Sequence, residues 1–309
     1  MHLQLLDLDA SLVAQHSLRD ALPWNSVATI ALRDLGARLR LWSAQRTFDA
    51  LRMRLDAAQA KSLGAVTLIG SGDFHHVAVA LIERAAREAS APFTIVHIDN
   101  HPDWVRLAPR WHCGSWVNRA LKIPQVARVV TLGVCSDDLV RPDRKGGNLA
   151  ALSSGKLVLL PWQHAASRVR KRIADGIGHR YADGRIVWDN LADGDFNTHL
   201  ASIMNAIPTD AVWITIDKDV LPEDEVTSNW DQGQMPLARV LETIRAVGSH
   251  KKILGADICG EYAPMRHTNW FKRIEARMDQ PRRVVTEANL AQNERVNIAL
   301  LRAIAENAA

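Results

Sequence analysis

Short apolar runs alternate along the chain with longer segments of helical periodicity. Strand candidates fall at 2–7, 65–70, 93–98, 128–134, 156–160, 185–188, 211–216 and 252–256. Between them lie segments such as HVAVALIERAAREA at 76–89, where Val77, Leu81 and Ile82 recur at helical spacing, and LARVLETIRAVG at 237–248. This rhythm predicts an α/β protein with three α/β/α layers around a mostly parallel sheet of about eight strands. Residues 142–155 and 189–197 read as surface loops, and neither an internal repeat nor a low-complexity tract interrupts the pattern. No linker divides the chain, so residues 1–309 are expected to form one domain.

Composition narrows the function classes. Apolar residues at 47% and charged residues at 23% are those of a soluble globular protein, which excludes general disorder and fibrous architecture. Thirty-eight basic against 34 acidic residues give a formal charge of +4, too mild and too dispersed to imply nucleic acid. The basic segment Arg168-Val169-Arg170-Lys171-Arg172 reads as the solvated face of a helix. No apolar run is long enough to span a bilayer, and the opening MHLQLLDLDASL carries acids where a secretory leader carries bases, so a cytoplasmic protein is expected. Cys113, Cys135 and Cys259 are odd in number and lack a CxxC pair, which predicts reduced thiols rather than a disulfide framework or a cysteine zinc site.

The chemistry gathers where apolar runs end. AVTLIG leads into SGDFHH, FTIVHI into DNHPD, VWITI into DKD and KILGA into DICGE. In open α/β sheets the ligand crevice lies beyond the carboxyl ends of the strands, so these four segments are expected to share one pocket. Asp99, His101 and Asp103 occupy alternate positions, as do Asp217 and Asp219, and alternate side chains of an extended segment point the same way. Two like charges about 4 Å apart cost about 4 kcal/mol at an effective dielectric of 20, so four gathered aspartates require cations or protons. Carboxylates with imidazoles and no thiolate suit a divalent ion such as manganese, with nickel, iron and zinc left open. Two ions are the economical count, and a metal pair can lower the pKa of a shared water from 15.7 to about 7.

These residues carry a resemblance. Asp99-Asn100-His101-Pro102-Asp103 matches the Asp-x-His-x-Asp motif of the ureohydrolases, the family of arginase, agmatinase and formiminoglutamase. Thr215-Ile216-Asp217-Lys218-Asp219 matches their Ser-x-Asp-x-Asp motif, and Gly72-Asp73-Phe74-His75-His76 resembles their Gly-Gly-Asp-His-Ser with Phe74 inserted. The resemblance spans roughly residues 65–265 and implies an arginase-type fold with two manganese ions per chain. It places one ion on His75, Asp99, Asp103 and Asp217 and the other on Asp99, His101, Asp217 and Asp219, with His76 as the alternative to His75. Trp111-His112-Cys113-Gly114-Ser115 resembles the family's His-Gly pair, which would make His112 the proton shuttle to the leaving amine. Asp257-Ile258-Cys259-Gly260-Glu261 resembles its Asp-Ile-x-Glu, again with one extra residue, which would set Glu261 against the substrate's guanidinium or amidine. By the same resemblance a bridging hydroxide, oriented by Asp103, would attack the amidino carbon of a linear amidine or guanidine and release urea or a related amide. A small amidino or guanidino substrate, no nucleic acid, no membrane and a homo-oligomer complete the expectation.

Other readings compete. The aspartates could cap helices, but capping accounts for one acid per loop and leaves the alternation and His101 unexplained. Gly70-Ser71-Gly72 lacks the fuller dinucleotide pattern. Trp104, Trp111, Trp116 and Trp230 flank the motif loops as pocket walls or as core. Beyond Asp219 the chain departs from the family's Asp-Pro and proline- and glycine-rich loop, passing through Val220-Leu221-Pro222-Glu223-Asp224 to Thr227-Ser228-Asn229-Trp230-Asp231-Gln232-Gly233. It also carries VRLAPRW after Asp103 in place of the polar loop with which arginases grip an amino acid, so arginine and agmatine do not transfer as substrates. The tandem His75-His76 resembles the paired histidines of zinc deacetylases acting on acetylated amines, and the inserted residues suit a noncatalytic ureohydrolase-like binding protein.

Overall fold

The structure, a computed structural model, describes residues 1–106, 111–264, 267 and 269–306. Its central sheet consists of β1 (His2–Asp7), β2 (Ser26–Ala31), β3 (Ala65–Ser71), β4 (Phe93–Ile98), β5 (Val126–Leu132), β6 (Leu157–Leu160), β7 (Ala211–Asp217) and β8 (Lys252–Glu261). All neighbours pair in parallel, in the order β2-β1-β3-β8-β7-β4-β5-β6.

Parallel strands covered on both faces must alternate between two cores, and these do. Ile69, Ile95, Val129 and Leu159 face one layer, where they meet Leu35 of α1 (Arg33–Leu39), Phe48, Leu51 and Leu55 of α2 (Gln45–Ala57) and Leu81 and Ile82 of α3 (Ala78–Glu88). Val66, Val96, Ile98 and Ile214 face the other, against Ile203 of α4 (Phe196–Ala206), Ile244 of α5 (Leu237–His250) and Leu300 of a C-terminal helix, Glu287–Ala305. The expected three-layer fold is therefore present, with a wholly parallel main sheet.

Several element assignments change. The run 185–188 lies outside the main sheet: it pairs antiparallel with His179–Ala182 and with Ser167–Arg168 in a separate three-stranded sheet. Asp183 and Gly184, both at positive φ, close a two-residue hairpin there, and that local pairing prevails over a crossover. The eighth strand is instead β2, an edge strand whose residues are mostly exposed and so carry little apolar signal. Ser167–Arg168 is strand, so the basic segment beginning at Arg168 is not a helix, although Arg168, Arg170, Lys171 and Arg172 are exposed as expected. The loop at 142–155 contains a short helix, Leu149–Ser153. Strand β8 runs past residue 256 to Glu261, because β3 and β7 flank it on both sides. No described helix is long and apolar enough to cross a membrane.

Candidate metal centre

Strands β3, β8, β7 and β4 are adjacent at the centre of the sheet, and their carboxyl ends deliver the chemistry. A 3₁₀ helix after β3, Gly72–Val77, carries His75; β4 runs into Asp99, His101 and Asp103; β7 ends at Asp217 and leads to Asp219. His75 Nδ1 lies 3.0 Å from Asp99 Oδ2, 3.2 Å from Asp103 Oδ2 and 3.7 Å from Asp217 Oδ2. His101 Nδ1 lies 3.1 Å from Asp219 Oδ2 and 3.6 Å from Asp99 Oδ1. The structure thus brings together His75, Asp99, His101, Asp103, Asp217 and Asp219 in overlapping sets: Asp99 is common to the set with His75 and Asp103 and the set with His101 and Asp219, and His75 joins the first of these to Asp217. Above them opens a cavity of about 640 Å³.

Both histidines are oriented from behind. Thr215 Oγ1 donates to Asp257 Oδ1 at 2.7 Å and so accepts from His75 Nε2 at 2.9 Å, which leaves Nδ1 facing the carboxylates. His101 Nε2 donates to Asp231 Oδ1 at 3.0 Å, which turns its Nδ1 inward. Such outer partners hold a metal-binding imidazole in the right tautomer and orientation. Asp231 belongs to the loop that departs from the family pattern, and nothing in its local sequence marks it. Replacing Asp231 with alanine is expected to weaken metal affinity by about 10–100-fold, measured by competition with a chelating dye, while the fold is retained.

His97, which sequence reasoning missed, donates from Nε2 to Asp99 Oδ2 at 2.8 Å and is fully buried. A signal existed: His97, Asp99, His101 and Asp103 continue one alternation back into the strand. Trp116, also fully buried, donates to Asp103 Oδ2 at 2.6 Å, and Asp103 sits at φ +45°. A third addition changes the donor chemistry. Cys259 Sγ lies 3.1 Å from Asp217 Oδ2, so the cluster contains a thiol, contrary to the expected thiolate-free set.

Crowded anions show in the titration. Burial, then the Asp99 charge, pushes Asp217 up to about 6, and burial with Asp217 and Asp99 raises Asp219 well above the carboxylate range. Asp103 is raised by burial and by Asp99, whereas the neighbouring imidazoles of His101, His75 and His97 together outweigh burial and hold Asp99 low. His75 Nδ1 is buried without a hydrogen-bond partner while aimed at carboxylate oxygens. Carboxylates, imidazoles and a convergent orphan nitrogen are a donor set that fits a divalent cation.

The remaining predicted residues separate. His76 turns away from the carboxylates; its ring lies 6.1 Å from that of Phe48, neither nitrogen has a hydrogen-bond partner, and burial holds its pKa well below the ordinary value. His112 lines the cavity, accepts from Gly114 N at its Nδ1 (2.9 Å) and donates from Nε2 to Glu275 of a helix spanning Trp270–Asp279. Glu275, another residue that sequence reasoning missed, is held below its usual range by that hydrogen bond despite burial. Glu261 is placed differently from the expectation. Its carboxylate is buried and committed to Lys218 Nζ, Asn293 Nδ2 and Asn297 Nδ2, which leaves it no approach to a substrate. The cause is Gly260: its extra residue is absorbed as a β-bulge against β3, which re-aims Glu261 inward. Among the four tryptophans weighed, Trp230 lines the cavity, whereas Trp104 and Trp116 are core and Trp111 stacks on Phe48 with centroids 3.8 Å apart. In VRLAPRW, residues 107–110 lie outside the described residues.

The Arginase family model matches residues 10–277. The chain belongs to the arginase family. Among solved structures, this arginase-family protein is similar to proclavaminate amidino hydrolase from Streptomyces clavuligerus, with TM-score 0.62, 13% identity, and coverage of 100% of this chain and 92% of that one. Formimidoylglutamase from Bacillus subtilis gives TM-score 0.61 at 13% identity over 98% of this chain and 85% of that one. Arginase from Medicago truncatula gives 0.60 at 14% over 99% and 86%. At such identities the likeness is one of fold. An uncharacterized protein of Thermotoga maritima is 26% identical over 200 residues, which take in 65% of this chain and 59% of that relative, less than two thirds of its length.

Proposed function

We propose that this arginase-family protein is a binuclear-metal hydrolase that cleaves a C–N bond of a linear amidine or guanidine. The observation that supports it most is the buried convergence of four aspartates with two histidines whose Nδ1 atoms face them, beneath an open cavity. His75, Asp99, Asp103 and Asp217 would hold one ion, and Asp99, His101, Asp217 and Asp219 the other. When bound, such a pair supplies Lewis-acid polarisation and makes water ionise near neutral pH.

The chain's own groups do the rest. Asp137, Asp138 and Asp231 line the same cavity, where Lys145 pairs with Asp138 and leaves Asp137 and Asp231 to attract a planar cationic head. Asp103, with Oδ2 anchored by Trp116, accepts a hydrogen bond from the attacking water. His112 carries a proton to the leaving amine at Nδ1, exchanging the Gly114 N–H for it, while Glu275 at Nε2 fixes the ring and supplies a counter-charge. Beyond Gln280 and Pro281, which line both, lies a second cavity of about 650 Å³ with Arg273, Arg277, Arg282 and Arg283 in its wall. Acid on one side and base on the other favour a substrate with a cationic head and an anionic arm.

The test is a manganese-loaded substrate screen with detection of urea, ammonia and formamide. We expect 4-guanidinobutanoate to be turned over with kcat/KM at least about 10-fold above agmatine, since one misplaced like charge costs on the order of 1–4 kcal/mol. Silence across the panel with two ions bound would leave a noncatalytic binder. One zinc per chain would favour deacylation, a reading weakened because His76 does not join His75 at the cluster.

A further inference from the structure

The insertion that displaces Glu261 brings another group forward. Strand β8 bulges against β3 between Ile258 and Glu261, and Gly260 takes φ +94°. A Cβ at Gly260 would lie 2.4 Å from Asp217 Oδ1 and 2.5 Å from Lys218 N, so only glycine lets this backbone press against the end of β7. In that register Cys259, 1% exposed, directs Sγ to within 3.1 Å of Asp217 Oδ2. Ligand atoms of His75, Asp217 and Cys259 all lie within 4.8 Å of one another. One S–H···O contact accounts for the thiol; it does not account for His75 Nδ1, buried beside it with no hydrogen-bond partner.

The geometry points to Cys259 as a metal ligand: the thiolate joins His75 and Asp217 around one ion of the pair. This rests on the two-ion site proposed above and adds a soft donor to it. Sulfur shifts preference from hard manganese toward zinc, cobalt(II) or iron(II), because thiolate binds borderline ions better than a carboxylate or water oxygen does. Binding of the ion releases the thiol proton to solvent. The other thiols differ in placement: Cys113 Sγ lies 3.9 Å from His112 Nδ1, and Cys135 contacts the Gly133 carbonyl at 3.6 Å.

The experiment loads the full-length protein with cobalt(II) alone and records its near-ultraviolet spectrum and its stoichiometry by equilibrium dialysis. We expect a sulfur-to-cobalt charge-transfer band in the unaltered protein, its loss in Cys259→Ser, and its retention in Cys113→Ser and Cys135→Ser. Cys259→Ser should also weaken cobalt and zinc binding by about tenfold or more while changing manganese binding by less than about threefold. Two bound cobalt ions without the band, seen in the unaltered protein and so independent of whether any variant folds, would overturn the assignment and leave the two-ion site standing. A band with no turnover of any guanidino or amidino compound would uphold the ligand and sink the hydrolase reading. No bound cobalt at all would overturn both.

Discussion

Asp217→Asn is expected to abolish binding of both ions and turnover together, and Asp99→Asn to do the same. Asp217 sits where the neighbourhoods meet: its Oδ1 accepts from Asp219 N at 3.1 Å, and its Oδ2 faces His75 Nδ1 and Cys259 Sγ. Gly72 and Gly260 close on it so tightly that a Cβ on either would approach its oxygens to 2.6 and 2.4 Å. An amide fits that space but turns an N–H donor toward the cation position and removes half of the shared charge. Stability separates this from simple misfolding. Removing one of four clustered carboxylates relieves like-charge repulsion, so without added metal the variant should unfold at the same temperature as the unaltered protein or higher. What it loses is the metal-linked gain, about 2.7 kcal/mol at a ligand concentration 100 times Kd. Thermal unfolding with and without manganese, alongside metal analysis, checks both. Two ions retained in either variant would refute the shared-ligand assignment. His112→Ala, by contrast, should keep both ions and lose turnover, because His112 contacts Gly114 and Glu275 rather than the carboxylate cluster.

Glu261→Ala is expected to destabilise the fold by about 3–5 kcal/mol, the cost of leaving a buried charge unpaired. Lys218 is fully buried on the residue between two candidate ligands, and Glu261 is the anion it pairs with. Asn293 and Asn297 of the C-terminal helix complete the carboxylate's hydrogen bonds, and Gln15 Oε1 accepts from Asn297. The network thus ties the residue between Asp217 and Asp219 to that helix. A substrate-binding glutamate would show the opposite signature, a raised KM at unchanged stability. Urea unfolding of Glu261→Ala distinguishes the two, and the double variant Lys218→Met with Glu261→Leu should recover much of the loss, since a matched apolar pair leaves no orphan charge.

What could be known from the chain alone was whatever is written locally. Burial on both faces leaves short apolar runs, which is why β1, β3, β4, β5, β6, β7 and β8 were legible and the half-exposed edge strand β2 was not. Alternation at a strand end is equally local, so Asp99, His101, Asp103, Asp217 and Asp219 stood out, and the same alternation extended backward would have included His97. Tertiary structure alone decided the rest. Which of two adjacent histidines faces the carboxylates depends on how a 3₁₀ turn leaves β3, and whether Glu261 or Cys259 reaches the cluster depends on one bulge at Gly260. Asp231 and Glu275 reach their histidines across 130 and 163 residues of chain, brought there by crossovers that no periodicity encodes. Local sequence records what each segment buries; partnership between segments is settled only when the sheet order sets β3, β8, β7 and β4 side by side.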